Sequence, residues 1–248
     1  MLFAHGFGCD QNMWRFIVPA FANDYRVVLF DHVGAGKSDI AQYRPEKYNT
    51  LDGYANDVLE IIDAAGGAPV IFVGHSVSAM IGVLAAAKRP AAFERLILIG
   101  PSPCYINDGD YVGGFSRADI EGLLATLDSN YLGWSSATAP VIMGNPDRPE
   151  LAGELTESFC RTDPEIAKQF ARVTFLSDNR SDLAKVRVPT LILQCSEDVI
   201  APDCVGEFVK DHMENSVLVR MSATGHCPHM SAAEETISTI HQYLTAQT

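Results

Sequence analysis

A serine at the junction between a predicted strand and a predicted helix is the first candidate for covalent chemistry. The sequence Gly-His-Ser-Val-Ser occupies residues 74–78, after the apolar run 70–73. In such a turn the serine hydroxyl is exposed and the next N–H group points at a substrate oxygen, so the neighbours must be small. Gly74 satisfies this requirement, whereas Ser78 stands where a second glycine is usual. Ser76 is therefore the candidate nucleophile, and a serine that only caps the helix is the alternative.

A serine hydroxyl becomes a good nucleophile only when a base accepts its proton, and histidine is the usual base. Seven histidines are present, and His226 lies in the sequence Gly-His-Cys-Pro at 225–228, directly after the last predicted strand. Gly225 permits a tight approach of this loop and Pro228 restricts its conformations. His226 is the predicted base, with His229 as the alternative.

The acid that orients this histidine should follow the penultimate strand, which gives the chain order serine, acid, histidine. Asp198 fits this order because it follows the apolar run 190–193 and precedes a predicted helix. Glu197 and Asp203 are the alternatives, although Asp203 is also typical of an acid in the first turn of a helix.

A glycine-rich loop near the start of the chain is the candidate for binding a developing negative charge. The sequence His-Gly-Phe-Gly occupies residues 5–8, after the apolar run 2–4. We expect the N–H groups of Phe7 and Val77 to form an oxyanion hole, in which one donor is worth about 3 kcal/mol of transition-state stabilisation. An ordinary glycine-rich turn is the alternative.

An alternation of strands and helices must bring these groups together. Apolar runs predict strands at 26–31, 70–73, 96–99, 190–193 and 217–219. Helical spacing predicts helices at 11–21, 50–64, 78–88, 202–212 and 234–244. This order predicts an α/β fold, with a mostly parallel sheet covered by helices on both faces.

The alternation stops between residues 102 and 186. Helical spacing predicts four helices there, near 116–127, 130–143, 150–160 and 164–176. Because long structureless loops are uncommon inside compact domains, we predict an inserted helical lid. The predicted division is a core formed by 1–101 and 187–248, with the lid at 102–186.

Composition argues against several classes of function. A formal net charge of −13 repels nucleic acids and anionic membranes, so we expect an uncharged ligand. Gly-Lys-Ser at 36–38 resembles the end of a phosphate-binding loop but lacks its leading glycine. The six cysteines are scattered and no apolar run approaches the roughly 20 residues of a membrane span. We expect a soluble, cytoplasmic protein without a cofactor or a metal.

Taken together, the motifs at 5–11, 74–80, 113–115 and 225–229 resemble the RsbQ-like branch of the α/β-hydrolases, which includes the plant karrikin and strigolactone receptors. The resemblance implies the α/β-hydrolase fold, the same catalytic positions and a four-helix lid over a closed apolar pocket. It places pocket-lining side chains at Phe7, Tyr105, Phe115, Trp134 and Phe175. Ordinary core packing is the alternative for each of these aromatics. Members of this branch carry further N-terminal strands, so we expect the natural chain to begin upstream of residue 1.

Two functions are compatible with these features. The first is a carboxylesterase-like or lactonase-like serine hydrolase that cleaves a small apolar ester, lactone or butenolide-like molecule through an acyl-enzyme intermediate. The second is a ligand-sensing receptor or activator with slow turnover that binds a signalling protein. A scaffold without activity is disfavoured because the triad and the oxyanion loop are present in a workable order.

Overall fold

The structure is a computed structural model that describes residues 1–246. Its sheet consists of β1 (Leu2–Ala4), β2 (Val28–Leu29), β3 (Val70–His75), β4 (Phe93–Ile99), β5 (Thr190–Ser196) and β6 (Ser216–Thr224). The strand order is β2-β1-β3-β4-β5-β6, and every neighbouring pair is parallel. The predicted α/β fold with a parallel sheet is confirmed.

The helices of the described chain follow the predicted order. They are α1 (Leu51–Ala64), α2 (Val77–Lys88), α3 (Arg117–Ser129), α4 (Tyr131–Met143), α5 (Pro149–Arg161), α6 (Pro164–Phe175), α7 (Arg180–Leu183), α8 (Asp203–His212), α9 (Pro228–Ser231) and α10 (Ala233–Ala246). Helices α1, α2, α8 and α10 confirm the predictions at 50–64, 78–88, 202–212 and 234–244. Among residues 1–246, no helix combines the length and the apolar character needed to cross a membrane.

The central strands are apolar on both faces because each face is covered. Residues 96–99 of β4 and 191–193 of β5 are fully buried, as parallel strands between layers of other elements should be. Burial of apolar surface stabilises this region by about 25 cal/mol per Å². Ser76 follows β3, Asp198 follows β5 and His226 follows β6. The buried strands therefore hold the three candidate side chains at one edge of the sheet.

Two elements near the start of the chain differ from the prediction. The helix predicted at 11–21 is two short 3-10 helices, Gln11–Trp14 and Val18–Ala20. Pro19 explains this break, since proline has no N–H group to donate within a longer helix. The strand predicted at 26–31 is reduced to Val28–Leu29, which pairs with β1 alone. The partner strand β1 has three residues and so offers few backbone groups for pairing.

Helices α3 to α6 lie between β4 and β5 and confirm the four helical segments predicted there, and the short helix α7 follows them. We call residues 102–186 the helical insertion. Helix α4 packs against α3 and α5, and α6 packs against α3. Helix α5 buries Leu151, Leu155 and Phe159, which recur at helical spacing along one side. The division of the chain into a core and a separately acting lid stays a prediction.

Candidate active site

Ser76 occupies a strained turn between β3 and α2. Its φ of 57° and ψ of −124° lie outside the usual regions for a residue with a side chain, which costs about 1–3 kcal/mol. The N–H of Ser76 donates to the carbonyl of Ile99 at 2.8 Å, so the pairing of β3 with β4 supports the turn. A Cβ at Gly74 would lie 2.6 Å from the backbone oxygen of Ser78. The turn therefore requires a glycine before the serine.

Ser76, His226 and Asp198 form a continuous hydrogen-bonded chain. The Nδ1 atom of His226 lies 2.7 Å from Oδ2 of Asp198, and its Nε2 atom lies 2.8 Å from Oγ of Ser76. An ionised carboxylate can only accept, so Nδ1 carries the proton and Nε2 presents its lone pair to the hydroxyl. This is the tautomer that a general base requires. All three side chains are buried.

Backbone groups hold Asp198 in its orientation. The preceding Glu197 has a φ of 54°, which turns the chain sharply after β5. Oδ1 of Asp198 accepts hydrogen bonds from the N–H groups of Ile200 at 2.9 Å and Ala201 at 3.1 Å. Burial by itself would raise the pKa of Asp198, but His226 and these N–H groups outweigh it and keep the pKa below its usual value. Asp198 is therefore an anion at neutral pH.

The structure separates the alternatives from this chain. Glu197 is exposed, and Asp203 is an exposed partner of Arg220 at 2.9 Å. His229 is fully buried, and its ring lies 4.5 Å from the ring of His75. None of the three is hydrogen-bonded to Ser76 or His226 in the described structure.

The backbone of His226 is fixed on two sides. Its N–H donates to the carbonyl of Ile142 in α4 at 2.9 Å. Its carbonyl accepts from Nε2 of His75 at 2.8 Å. Gly225 has a φ of 76°, and a Cβ there would lie 2.0 Å from the carbonyl oxygen of Met143. The helical insertion therefore contributes directly to the position of His226.

Ser78 connects the glycine-rich loop to α2. Its hydroxyl donates to the carbonyl of His5 at 2.5 Å and lies 2.8 Å from Nε2 of His32. Since the single hydroxyl proton goes to that carbonyl, His32 is the donor to Ser78. Nε2 of His5 accepts from the backbone N–H of His32 at 3.0 Å. Burial lowers the pKa of both histidines, so both rings are neutral. A glycine at position 78 could not make this connection.

The loop at 5–8 lies against the turn at residues 74–78, which we call the nucleophile turn after the predicted role of Ser76. A Cβ at Gly6 would lie 3.3 Å from Cβ of Ser76 and 2.6 Å from Nδ1 of His75. Only a glycine allows the backbone this close. Val77 is the first residue of α2, where N–H groups have no partner within the helix. Phe7 and Val77 thus lie on two segments that meet beside Ser76.

A narrow cavity of about 30 Å³ reaches Ser76 and His226. Among the aromatics proposed from the resemblance, Phe7, Tyr105 and Phe175 line it. Trp134 lies behind it, stacked on Phe159 with ring centroids 5.6 Å apart. Phe115 is outside the lining and pairs through its backbone with Ile106. Burial raises the pKa of Tyr105, and a hydrogen bond to Ser76 opposes part of that rise.

Sequence reasoning missed several lining residues. They are Cys9, Ile142, Leu155, Phe159, Thr174 and Ile200. The spacing of Leu151, Leu155 and Phe159 along α5 could have shown which side of that helix is buried. It could not have shown that this side ends at Ser76.

Comparisons with known proteins agree with this geometry. The sequence matches the Alpha/beta hydrolase family over residues 1–239. It is 41% identical to strigolactone esterase D14 of Arabidopsis thaliana over 233 residues, which covers 94% of this chain and 87% of that protein. It is 38% identical to Karrikin insensitive 2 receptor CA of Petunia hybrida, covering 98% of this chain and 91% of that protein. A solved hydrolase from Oleispira antarctica superimposes with a TM-score of 0.96 at 43% identity, covering 98% and 90% of the two chains.

We expect Gly225→Ala to lower kcat for an activated ester by about 100-fold, because the new methyl group pushes the base loop away from Met143 and a displacement of about 1 Å can cost that much. The measurement is steady-state kinetics with p-nitrophenyl acetate. Gly153→Ala is the matched control, since a Cβ at Gly153 meets nothing within 4 Å. Equal activity of the two variants would show that the base tolerates this displacement.

We expect Ser78→Ala to lower kcat about tenfold with little change in KM, because the loop at 5–8 loses its bond to α2 and a buried carbonyl loses a partner worth about 1–3 kcal/mol. Kinetics and urea unfolding measure the two effects. Ser216→Ala is the control. Ser216 is buried at the start of β6, and its hydroxyl donates to the backbone carbonyl of Met213. A variant destabilised like the control but with unchanged kcat would contradict a positioning role for Ser78.

Proposed function

The chain belongs to the Alpha/beta hydrolase family and is a serine hydrolase of the esterase type, and we propose that Ser76, His226 and Asp198 are its catalytic triad. The observation that carries this proposal is the hydrogen-bonded chain from Ser76 Oγ through the His226 ring to Asp198, with distances of 2.8 and 2.7 Å. A serine that only caps a helix does not need a hydrogen bond to a histidine that is itself paired with an aspartate.

The proposed reaction has two stages. Oγ of Ser76 attacks the ester carbonyl while His226 Nε2 accepts the hydroxyl proton, and the same proton then passes to the departing alcohol. In the second stage His226 takes a proton from water, and the resulting hydroxide attacks the acyl-serine. The proton returns to Ser76 as the carboxylic acid is released. Asp198 stays ionised throughout and stabilises the imidazolium ion.

The N–H groups of Phe7 and Val77 are the proposed oxyanion donors. The contact of Gly6 with the nucleophile turn supports this role, because it brings the loop at 5–8 beside Ser76. Donors fixed in advance stabilise the charge of the tetrahedral intermediate without rearrangement. The bonds from Ser78 to His5 and from His32 to Ser78 provide that fixation.

A small, uncharged ester or lactone is the proposed substrate class. The cavity is lined mainly by apolar and aromatic side chains, and the net charge of −13 disfavours anions. The similarity to a strigolactone esterase and to karrikin receptors supports a lactone or butenolide-like ligand. Ligand pockets usually measure about 300–1,000 Å³, far more than this cavity. We therefore propose that residues 102–186 act as a lid over the core formed by 1–101 and 187–248, and that the lid moves outward to admit substrate.

A receptor with slow turnover is the second candidate function. The 38% identity to a karrikin receptor over nearly the whole chain favours it. In this proposal the ligand changes the position of the lid, and a signalling protein in the cytoplasm recognises the change. A ligand-dependent shift in Tm that persists in Ser76→Ala would support sensing, because a ligand that prefers one state stabilises it without turnover.

We expect Ser76→Ala and His226→Ala each to lower kcat for p-nitrophenyl acetate by about 10⁴-fold or more, because members of a triad fail together. Asp198→Asn should lower it by about 10³–10⁴-fold, since the histidine loses its preferred tautomer. Stopped-flow and steady-state assays measure these rates, with Ser216→Ala as the control. Retention of activity by Ser76→Ala would disprove the proposed nucleophile.

We expect Leu155→Ala to raise the ratio of kcat/KM for a hexanoate ester over an acetate ester by about tenfold, because pocket discrimination between such groups is worth about 1–3 kcal/mol. Paired kinetics on the two esters give the ratio. Leu132→Ala is the matched control, since Leu132 is 59% exposed. An unchanged ratio in Leu155→Ala would show that the acyl chain binds elsewhere.

A further inference from the structure

A second cluster of side chains lies behind the triad. It consists of His75, Cys227 and His229, all of them buried. One ligating atom from each lies within 4.8 Å of the other two. His75 belongs to the nucleophile turn, whereas the other two residues follow the base directly. We call these three residues the His-Cys-His cluster.

The cluster holds nitrogen atoms that nothing in the described structure satisfies. Nε2 of His75 donates to the carbonyl of His226, so its Nδ1 atom carries a lone pair. Within residues 1–246, neither Nδ1 of His75 nor either ring nitrogen of His229 has a hydrogen-bond partner. Buried polar atoms without partners are uncommon and costly. The side chains of Ser76, His226 and Asp198 are all hydrogen-bonded, whereas three ring nitrogens of the cluster are without a partner among the described residues.

The cluster borders the cavity that reaches Ser76. Gly6 packs closely against it, since a Cβ at Gly6 would lie 2.6 Å from Nδ1 of His75. His75 and Cys227 also line the cavity that reaches Ser76. An ion in this cavity therefore lies next to two of the three residues of the cluster.

We propose that the His-Cys-His cluster binds one thiophilic divalent ion, Zn²⁺ by preference, with a water molecule from the cavity as the fourth ligand. Imidazole and thiolate are the ligands that Zn²⁺ prefers. Three atoms within 4.8 Å of one another share a point no more than about 2.8 Å from each, so inward shifts of less than about 0.8 Å reach Zn–N and Zn–S bond lengths.

Binding is balanced in protons and acceptable in charge. The Cys227 thiol loses one proton to solvent and binds as thiolate, while each imidazole binds through a lone pair without losing a proton. The bound ion and the thiolate together carry one positive charge. The buried Asp198 carboxylate, hydrogen-bonded to His226, provides a negative charge in the same interior.

Occupancy inhibits the reaction assigned to the triad. Cys227 is the next residue after His226, and His75 donates to the His226 carbonyl. Drawing both toward one ion moves the base away from Ser76. This consequence for activity rests on the proposed function, whereas binding of the ion does not.

The test is Co²⁺ binding by the full chain after removal of bound metals with a chelator. Exposed Cys160 and Cys204 are first replaced by alanine, which removes surface thiols as competitors. We expect one equivalent of Co²⁺ to produce the near-ultraviolet absorption of a thiolate-to-cobalt charge transfer, and one equivalent of Zn²⁺ to abolish it. Isothermal titration should show release of about one proton per ion.

Two further variants decide which thiol is bound. Cys9→Ala is the matched control because Cys9 is also buried and lines the same cavity; it should keep the band, whereas Cys227→Ala should lose it. Circular dichroism confirms that each variant is folded. Absence of a stoichiometric band in the parent protein, or its survival in Cys227→Ala, would overturn the site.

Inhibition of ester turnover by Zn²⁺ is a second measurement, independent of the absorption band. Zn²⁺ should reduce ester turnover of the parent protein and have no effect on whatever rate Cys227→Ala retains. If the band is present but Zn²⁺ does not inhibit the parent, the ion site stands and the link to the proposed triad fails.

Discussion

The two backbone hydrogen bonds at His226 connect every part of the site. One comes from the nucleophile turn through His75, and the other goes to Ile142 in the helical insertion. A base on a free loop would sample many positions, and fixing each loop residue costs about 1–2 kcal/mol of conformational entropy. In the folded protein the two hydrogen bonds already hold the His226 backbone in place. The 2.8 Å contact with Ser76 depends on it.

This arrangement links admission of a ligand to the position of the base. The cavity of about 30 Å³ is much smaller than a usual ligand pocket, so in the proposed lid function part of the insertion moves before a substrate binds. Helix α4, however, carries the carbonyl that holds His226. A motion that carries α4 outward displaces the base, whereas one confined to other helices preserves it. The same contact could therefore report ligand binding to the lid surface, which connects the two candidate functions physically.

Most histidine side chains of the protein are buried, and several of them lie near Ser76. Five of the seven histidines, His5, His32, His75, His226 and His229, are buried. Around Ser78, the hydrogen bonds of His5 and His32 fix the glycine-rich loop to α2. Where hydrogen bonds are incomplete, as at His229, the interior has unused binding capacity. His75 belongs to both groups, because it holds the His226 carbonyl and lies within the His-Cys-His cluster.

The sequence by itself determined the strand and helix order, the turn at Ser76 and helices α3 to α6, because each depends on local spacing, on glycine, or on apolar periodicity. It also proposed Asp198 and His226 from their places after β5 and β6. It could not determine that Glu197 points outward, that Trp134 lies behind the cavity, or that His75 and His229 meet. Those facts depend on packing between residues far apart in the chain, and only the tertiary structure decides which of them share a surface. The predicted helix at 11–21 was wrong for a local reason that the sequence does contain, since Pro19 prevents a continuous helix there.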